Sequence, residues 1–311
     1  MTILTVTLNA AIDKRYDLAR IGVGEVHRVT RVQASAGGKG LNVARGALLC
    51  GQRVVATGFV AGFAGQFVAG RVAEEGIRDE FIRVAGETRT CINVIDADGT
   101  STEFLEPGVT VTASDVAALQ RRFEELLPDV DAVTISGSVP AGCPAEVYLP
   151  LIVAAKRAGK PVILDTSGEP LRAALAAAPT AIKPNRAELG ALVGSTLESL
   201  ADVAAAARSL CAAGPHWVVV SLGSDGAVAV SAGSAVHVAA PCVTAVNPVG
   251  CGDVLVAGLA TGLASGLELD EALPLAVRIS AAAAAHQETG RFDPAVAAGL
   301  SSVVSVLGMD R

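Results

Sequence analysis

The sequence predicts an α/β fold: a mainly parallel sheet covered by helices on both faces, with a small β-sheet set over one end. Three observations carry that expectation. From residue 107 onward, apolar segments of strand length alternate with segments of helical period across short connections, the pattern of a parallel sheet with crossover helices. Several strands end on a polar or charged residue, at Asn9, Ser136, Asp165, Lys183 and Ser221, so the carboxyl ends of the strands share one rim where ligands bind in open α/β sheets. Two stretches, 12–35 and 86–106, lack helical period, mix β-branched residues with charge and do not fit such a core. They read as one small sheet over the rim. The chain then divides into a core (1–11, 36–85 and 107–311) and a discontinuous lid (12–35 and 86–106).

Taken in order, residues 2–8 form an apolar first strand, and the segment 16–35 reads as short exposed strands. Ala36-Gly37-Gly38-Lys39-Gly40 is a glycine-rich turn leading into a helix over 41–49. A strand over 54–59 and a helix over 65–75 follow, and then a hairpin turning at Ala97-Asp98-Gly99. The regular part places helices at 114–127, 145–158 and 198–213, with a short one before the strand at 181–183. Its other strands lie at 132–136, 162–165 and 217–222. Residues 254–267 are uncharged, long enough for a buried helix and too short to span a bilayer, and the alanine run 281–285 is helix rather than linker.

Composition narrows the function. The chain has 311 residues, enough to bury a large core as one big domain or one domain with an appendage. Half its residues are apolar and 18% charged, which excludes disorder. A net charge of −7 without any run of Lys or Arg offers no footprint for nucleic acid or an anionic membrane. A phosphorylated ligand must be held by a few local cations and by backbone. MTILTVTLNAAID shows no basic segment and no cleavage pattern, so the expectation is a cytoplasmic protein. The six cysteines are scattered without metal spacing and read as small buried residues of a reducing compartment. Cys251 is marked out because a thiol beside a phosphate site would be open to oxidation.

The stretch Asn247-Pro248-Val249-Gly250-Cys251-Gly252-Asp253 carries the chemistry. Gly250 and Gly252 let backbone N–H groups approach a ligand, and Asp253 sits where the turn becomes a helix N-terminus, a place that holds anions. An anion hole with one carboxylate at its lip suits phosphoryl transfer: N–H groups take up developing charge while the carboxylate accepts the proton of the attacking hydroxyl. Read locally, Asp253 is equally a helix cap. Gly37-Gly38-Lys39-Gly40 could cradle a phosphate or sugar with Lys39 as a point charge, or be an ordinary turn. Arg89 is an edge charge unless its segment covers a site. In Lys183-Pro184-Asn185-Arg186-Ala187-Glu188 a capping box competes with a role in ordering Mg²⁺ and its waters. Ser221 to Gly226 is a strand end and glycine turn where a nucleotide phosphate could rest. The Walker and dinucleotide glycine patterns are absent, and none of the four histidines has a telling partner.

Together TLNAAID, GGKGLNVAR, GETRTC, TEFLEPG, SGSVPAG, LDTSGE, IKPNRAEL, VSLGSDGA and NPVGCGDVLVAG resemble the ribokinase-like sugar kinases of the phosphofructokinase B family, in the branch of tagatose-6-phosphate kinases and 1-phosphofructokinases. The resemblance implies a three-layer α/β/α core, a β-sheet lid and a homodimer formed through that lid. It implies ATP and Mg²⁺ as cofactors, admits a monovalent cation, and makes a sugar phosphate and ATP the partners. By position it assigns the catalytic base to Asp253 and the anion hole to Gly250, Cys251 and Gly252. It assigns sugar contacts to Asp13, Gly38, Asn42 and Ser136, and the substrate's existing phosphate to Lys39, Arg89 and Arg28. Lys183, Asn185, Glu188, Ser221, Gly223 and Gly226 fall on the nucleotide side, with Glu188 reaching the metal through water.

GGKGLNV, ETR-x-C, TE-x-LE and NPVG-x-GD look most like tagatose-6-phosphate kinases. The expected reaction is ATP-dependent phosphorylation of a ketohexose monophosphate to a bisphosphate; fructose 1-phosphate and fructose 6-phosphate are alternative substrates. A sugar-phosphate sensor is the rival from another class, and retention of Asp253 with both flanking glycines speaks against it. Two departures stand out. The family's N-P-x-x-D start is Asn9-Ala10-Ala11-Ile12-Asp13, and Cys251 and Val254 replace the residues common around the base.

Overall fold

A computed structural model describes residues 1–307. The chain opens with β1 (Thr2–Thr7), β2 (Ala11–Asp17), β3 (Arg31–Gly37), α1 (Lys39–Leu49), β4 (Arg53–Ala61) and α2 (Gly62–Glu74). Short β5 (Arg78–Asp79) and β6 (Ile82–Val84) precede β7 (Arg89–Ile95), β8 (Ser101–Leu105) and α3 (Ala113–Leu126). The regular part is β9 (Ala132–Ser136), α4 (Tyr148–Arg157), β10 (Val162–Asp165), α5 (Gly168–Leu175), β11 (Ala181–Ile182), α6 (Arg186–Val193), α7 (Leu200–Cys211) and β12 (Trp217–Ser221). It ends with β13 (Ala227–Val230), β14 (Ala235–Ala239), α8 (Cys251–Ala264), α9 (Leu269–Ala284), α10 (Pro294–Gly299) and β15 (Val303–Val306).

The large sheet runs β15-β14-β13-β12-β11-β10-β9-β1-β4-β5, with β6 also on β4. Every pair from β12 to β5 is parallel, and the three at the β15 end are antiparallel. Strand direction alternates side chains between two apolar layers. Leu4 and Val6 of β1 and Val218 and Val220 of β12 enter one core with Phe123 and Leu151, whereas Ile3, Trp217 and Val219 enter the other with Leu41, Leu255 and Leu273. Burial on both faces explains why these strands read as unbroken apolar runs. The result is the three-layer arrangement of helices, sheet and helices. Chain order reverses at β1, which has β4 on one side and β9 on the other, so the crevice for a ligand opens beyond its carboxyl end.

The buried helix α8 is clamped there. A Cβ at Gly258 would lie 2.5 Å from the Ala276 backbone, one at Gly262 2.3 Å from Ala272 Cβ, and one at Gly46 2.8 Å from Ala257 Cβ. Glycine thus lets α1 and α9 approach α8 closely, and this fixes where its N-terminus points.

The small sheet has the order β3-β2-β7-β8. Asp13 pairs with Ser35 in the antiparallel β2–β3 ladder and with Cys91 in the parallel β2–β7 ladder. The β7–β8 hairpin turns through 96–100. Its strands reach slightly beyond 12–35, because the β2–β3 ladder continues to Ala11↔Gly37. Helix α1 begins at Lys39 rather than 41, since Gly38 at φ 111° takes the cap position. The antiparallel additions β13, β14 and β15 are not foreseen from the sequence. Among the described residues no helix is long and apolar enough to cross a membrane.

Candidate active site

A cavity of about 790 Å³ lies where the rim of the large sheet meets the small sheet, lined by residues of both. Asp253 is at its floor, 6% exposed, in the first turn of α8. Gly250 adopts φ 82° to turn the chain into the helix, and a Cβ there would strike Thr289 at 2.6 Å. The N–H groups of Cys251, Asp253 and Val254 turn back to the Pro248 and Gly250 carbonyls. Those of Gly250 and Gly252, both lining the cavity, have no protein acceptor among the described residues. The turn therefore presents two donors for an anion next to a carboxylate.

The Asn42 amide Nδ2–H donates to Asp253 Oδ2 at 2.8 Å. Burial pushes the Asp253 carboxyl up from 3.8 to about 7; the Asp165 charge adds to this, while the Asn42 hydrogen bond and the Lys39 and Lys183 ammonium groups oppose it. A carboxylate so poised changes protonation near neutral pH, which suits a general base.

Asp165, at the end of β10 and 1% exposed, faces Lys183 Nζ at 3.3 Å and Lys39 Nζ at 3.6 Å. Neither of its oxygens accepts a well-directed hydrogen bond. Lys39 feels Asp165, Asp253 and Glu188 together, and these raise its pKa against the opposing effect of burial. Its head is thus held beside Asp165 and Asp253 on the wall of the cavity.

One wall of the cavity is built by β2 and β7. The Asp13 carboxylate rests on Gly37, where a Cβ would lie 2.1 Å from its carboxyl carbon. Burial raises the Asp13 pKa, against the charges of Arg45 and then Arg89 and a hydrogen bond from the Gly38 backbone. Arg89 donates from Nη2 to the Asn9 carbonyl at 3.0 Å and from Nη1 to the Glu106 carbonyl at 3.2 Å. Its buried Nε–H has no acceptor among the described residues, a donor left over for an anion.

At the other end, Asn185 caps α6 and completes a capping box with Glu188: Glu188 N–H donates to Asn185 Oδ1 and Asn185 N–H to Glu188 Oε2, both at 2.8 Å. The structural and functional readings of KPNRAE coexist, because both side chains also line the cavity and Glu188 Oε1 is not spent on the cap. Ser221 lines the cavity as well, tied to this turn by its N–H to the Pro184 carbonyl.

Five expected residues are not brought to the cavity wall. Arg28 is exposed in the connection between β2 and β3. Ser136 is fully buried beneath the rim, paired in register with Asp165. Gly223 forms a tight turn, and Gly226 answers a packing need, since a Cβ there would lie 2.0 Å from the Val238 carbonyl. Cys251 directs its thiol toward the Asn247 carbonyl at 3.8 Å, and burial with the nearby Asp253 charge pushes it up to about 11. A thiol raised in this way is mostly protonated at neutral pH, which weakens the case for the oxidation marked from the sequence. Conversely, Arg45, Glu75, Asn247, Thr289 and Arg291 line the cavity without having been singled out. Asp165 was marked only as a strand end.

Residues 6–295 match the pfkB family of carbohydrate kinases, and the chain belongs to that family. It is a kinase that transfers a phosphoryl group from ATP to a carbohydrate, a chemistry that uses a divalent cation. The chain is similar to the Escherichia coli phosphofructokinase-2 crystallised with potassium, at 31% identity over 95% of this chain and 96% of that one (TM-score 0.88). Other structures of that enzyme hold fructose 6-phosphate or show a tetrameric inhibited form. A possible 1-phosphofructokinase from Thermotoga maritima matches at 26% identity over 99% and 100% (TM-score 0.87). An Arabidopsis thaliana ribokinase, at 21% identity over 96% and 97% (TM-score 0.79), shares the ribokinase-like fold.

Proposed function

We propose that the protein phosphorylates a ketohexose monophosphate to a bisphosphate with ATP and Mg²⁺, and that tagatose 6-phosphate is its substrate. The observation that carries this reading is the presence in the lining of one cavity of Asp253, buried at its floor beside two free backbone donors, and of Arg89, a guanidinium with one Nε–H unpaired. Asp253 accepts the proton of the attacking hydroxyl while Asn42 holds its carboxylate in place. The Gly250 and Gly252 N–H groups take up charge on the transferring phosphoryl, with Lys39 and Lys183 beside them. Asp13 orients the sugar through its hydroxyls, and Arg89 grips the phosphate already present. Lys183, Asn185, Glu188 and Ser221 form the nucleotide side. The Glu188 oxygen not used by the cap suits a divalent cation held through its waters. A cation held there would supply charge neutralisation to the phosphates.

The choice of tagatose 6-phosphate rests on GGKGLNV, ETR-x-C, TE-x-LE and NPVG-x-GD. The names of the Escherichia coli and Thermotoga maritima proteins favour a second reading, with fructose 6-phosphate or fructose 1-phosphate as substrate. In either case the small sheet acts as a lid that excludes water from the transfer. Its exposed Val32, Phe104 and Leu105 support pairing of two lids in a homodimer. The cytoplasm supplies ATP and suits six free cysteines. Measuring kcat/KM for tagatose 6-phosphate, fructose 1-phosphate and fructose 6-phosphate tests the assignment. Tagatose 6-phosphate is expected to lead, and a lead of about tenfold or more by a fructose phosphate would transfer the assignment to that ester.

A further inference from the structure

Arg45 is a charged side chain only 4% exposed, on the inner face of α1 three residues after Asn42. Its Nη1–H donates to Asn42 Oδ1 at 3.2 Å, its Nε–H to Glu75 Oε2 at 2.8 Å, and its Nη2–H to the Ala36 carbonyl near the end of β3. Glu75 in turn faces Arg291 Nη2 at 3.3 Å, and Arg291 Nε faces Glu288 Oε2 at 3.0 Å, so two arginines meet two carboxylates.

Asn42 therefore stands between a group that can only donate and one that, when ionised as a base must be, can only accept. With its oxygen toward Arg45 and its nitrogen toward Asp253, both contacts are hydrogen bonds; rotated by half a turn, both become repulsive. Gly290 closes the remaining side, where even a Cβ would lie 2.8 Å from Asn42 Cα. We propose that Arg45 is a positioning residue for the transfer, orienting the Asn42 amide so that its N–H meets Asp253. The inference rests on the reading of Asp253 as the base. The rival account makes Arg45 a staple joining α1, α2 and β3, required for folding alone.

The pH dependence of kcat at saturating sugar phosphate separates the two, because saturation removes weakened sugar binding at Asp13, whose charge neighbours are Arg45, Arg89 and Glu103. The groups facing Asp253 are Lys39 and Asn42 of α1, Asp165 of β10, Lys183 after β11 and Cys251 of its own helix, and Arg45→Met leaves all of them in place. Without the guanidinium the amide can turn its oxygen to Asp253, so the acid limb of kcat should move up by about half to one unit. Below the limb, kcat should fall about three- to tenfold. In an Asn42→Ala background, Arg45→Met should move the limb no further. Arg45→Lys keeps a charge beside Glu75, but its donors all sit on one nitrogen and cannot reach acceptors spread around a guanidinium, so it should also raise the limb, and it supplies the readout if Arg45→Met fails to fold. A wild-type limb in a folded Arg45 variant overturns the proposal, as does an equal shift in the Asn42→Ala background. Substantial turnover by Asp253→Asn would instead remove the base assignment on which it rests.

Discussion

Asp253 concentrates the conflict between folding and catalysis in one carboxyl group. Its burial favours the neutral acid, yet a base must be ionised, and the compromise is a pKa of about 7 in the free protein. The acid limb of kcat/KM should therefore lie near 7, since that parameter reports the free enzyme. Asp253→Asn should lower kcat about 10²- to 10⁴-fold while leaving sugar phosphate affinity nearly unchanged, and turnover within a few-fold of wild type would exclude the base role. The same substitution carries a stability signature. A carboxyl raised from 3.8 to about 7 stabilises the fold most fully below 3.8, and that contribution is lost as pH climbs through 7. An amide carries no such loss, so without ligands Asp253→Asn should melt about 2–5 °C higher than wild type at about pH 8, and the gap should shrink at about pH 5. A gap independent of pH would mean that the carboxyl is not the strained group.

Helix α8 delivers Asp253 because small residues let its neighbours come close. Gly262→Ala should force α8 and α9 apart, costing about 1–3 kcal/mol and lowering Tm, because the backbone of α9 cannot yield as a flexible side chain would. A Tm equal to wild type would show that the helices separate freely. The helix and its glycine turn are legible in the sequence, where an uncharged run of helical length follows Gly250 and Gly252. The strands of the parallel core are legible for the same local reason, as apolar runs ending on polar residues. Strands β13 and β14 are not, since AVAV and AVHVA carry neither a distinctive alternation nor a strong turn between them, and their pairing comes from the sheet edge left by β12. Among candidate site residues, those adjoining glycine turns or strand ends could be picked out. Arg45 could not: in NVARGALLC it resembles any helical arginine, and its burial comes from α2 and the 285–291 loop, distant in sequence. Arg28 lies off the cavity wall for the converse reason: charge and position near the lid say nothing of the direction in which a 13-residue connection carries it.

Across the whole molecule, a chain of net charge −7 must attract a doubly charged sugar phosphate and an ATP complex, so local placement of cations has to overcome the global field. The structure separates those cations in space. Lys39 and Lys183 converge on Asp165 at the reaction centre, whereas Arg89 stands on the small sheet, anchored by two carbonyls and keeping one donor unsatisfied. An unphosphorylated ketohexose can still present hydroxyls to Asp13, but it leaves that donor without an acceptor in a partly desolvated wall. A charge-assisted hydrogen bond to phosphate contributes about 1.5–3 kcal/mol, so free fructose should show a kcat/KM about 10- to 10²-fold below that of the best phosphate ester. Because remote binding also holds the reacting hydroxyl against Asp253, kcat should fall together with affinity. Arg89→Ala removes the same interaction from the protein side. It should weaken the sugar phosphate about tenfold or more while leaving the KM for ATP within about twofold, and it should narrow the gap between phosphorylated and free sugars. If wild type uses free fructose as well as the best ester, or if Arg89→Ala weakens ATP and sugar phosphate equally, Arg89 is not the phosphate anchor and the reading as a sugar-phosphate kinase loses its support at that end of the cavity.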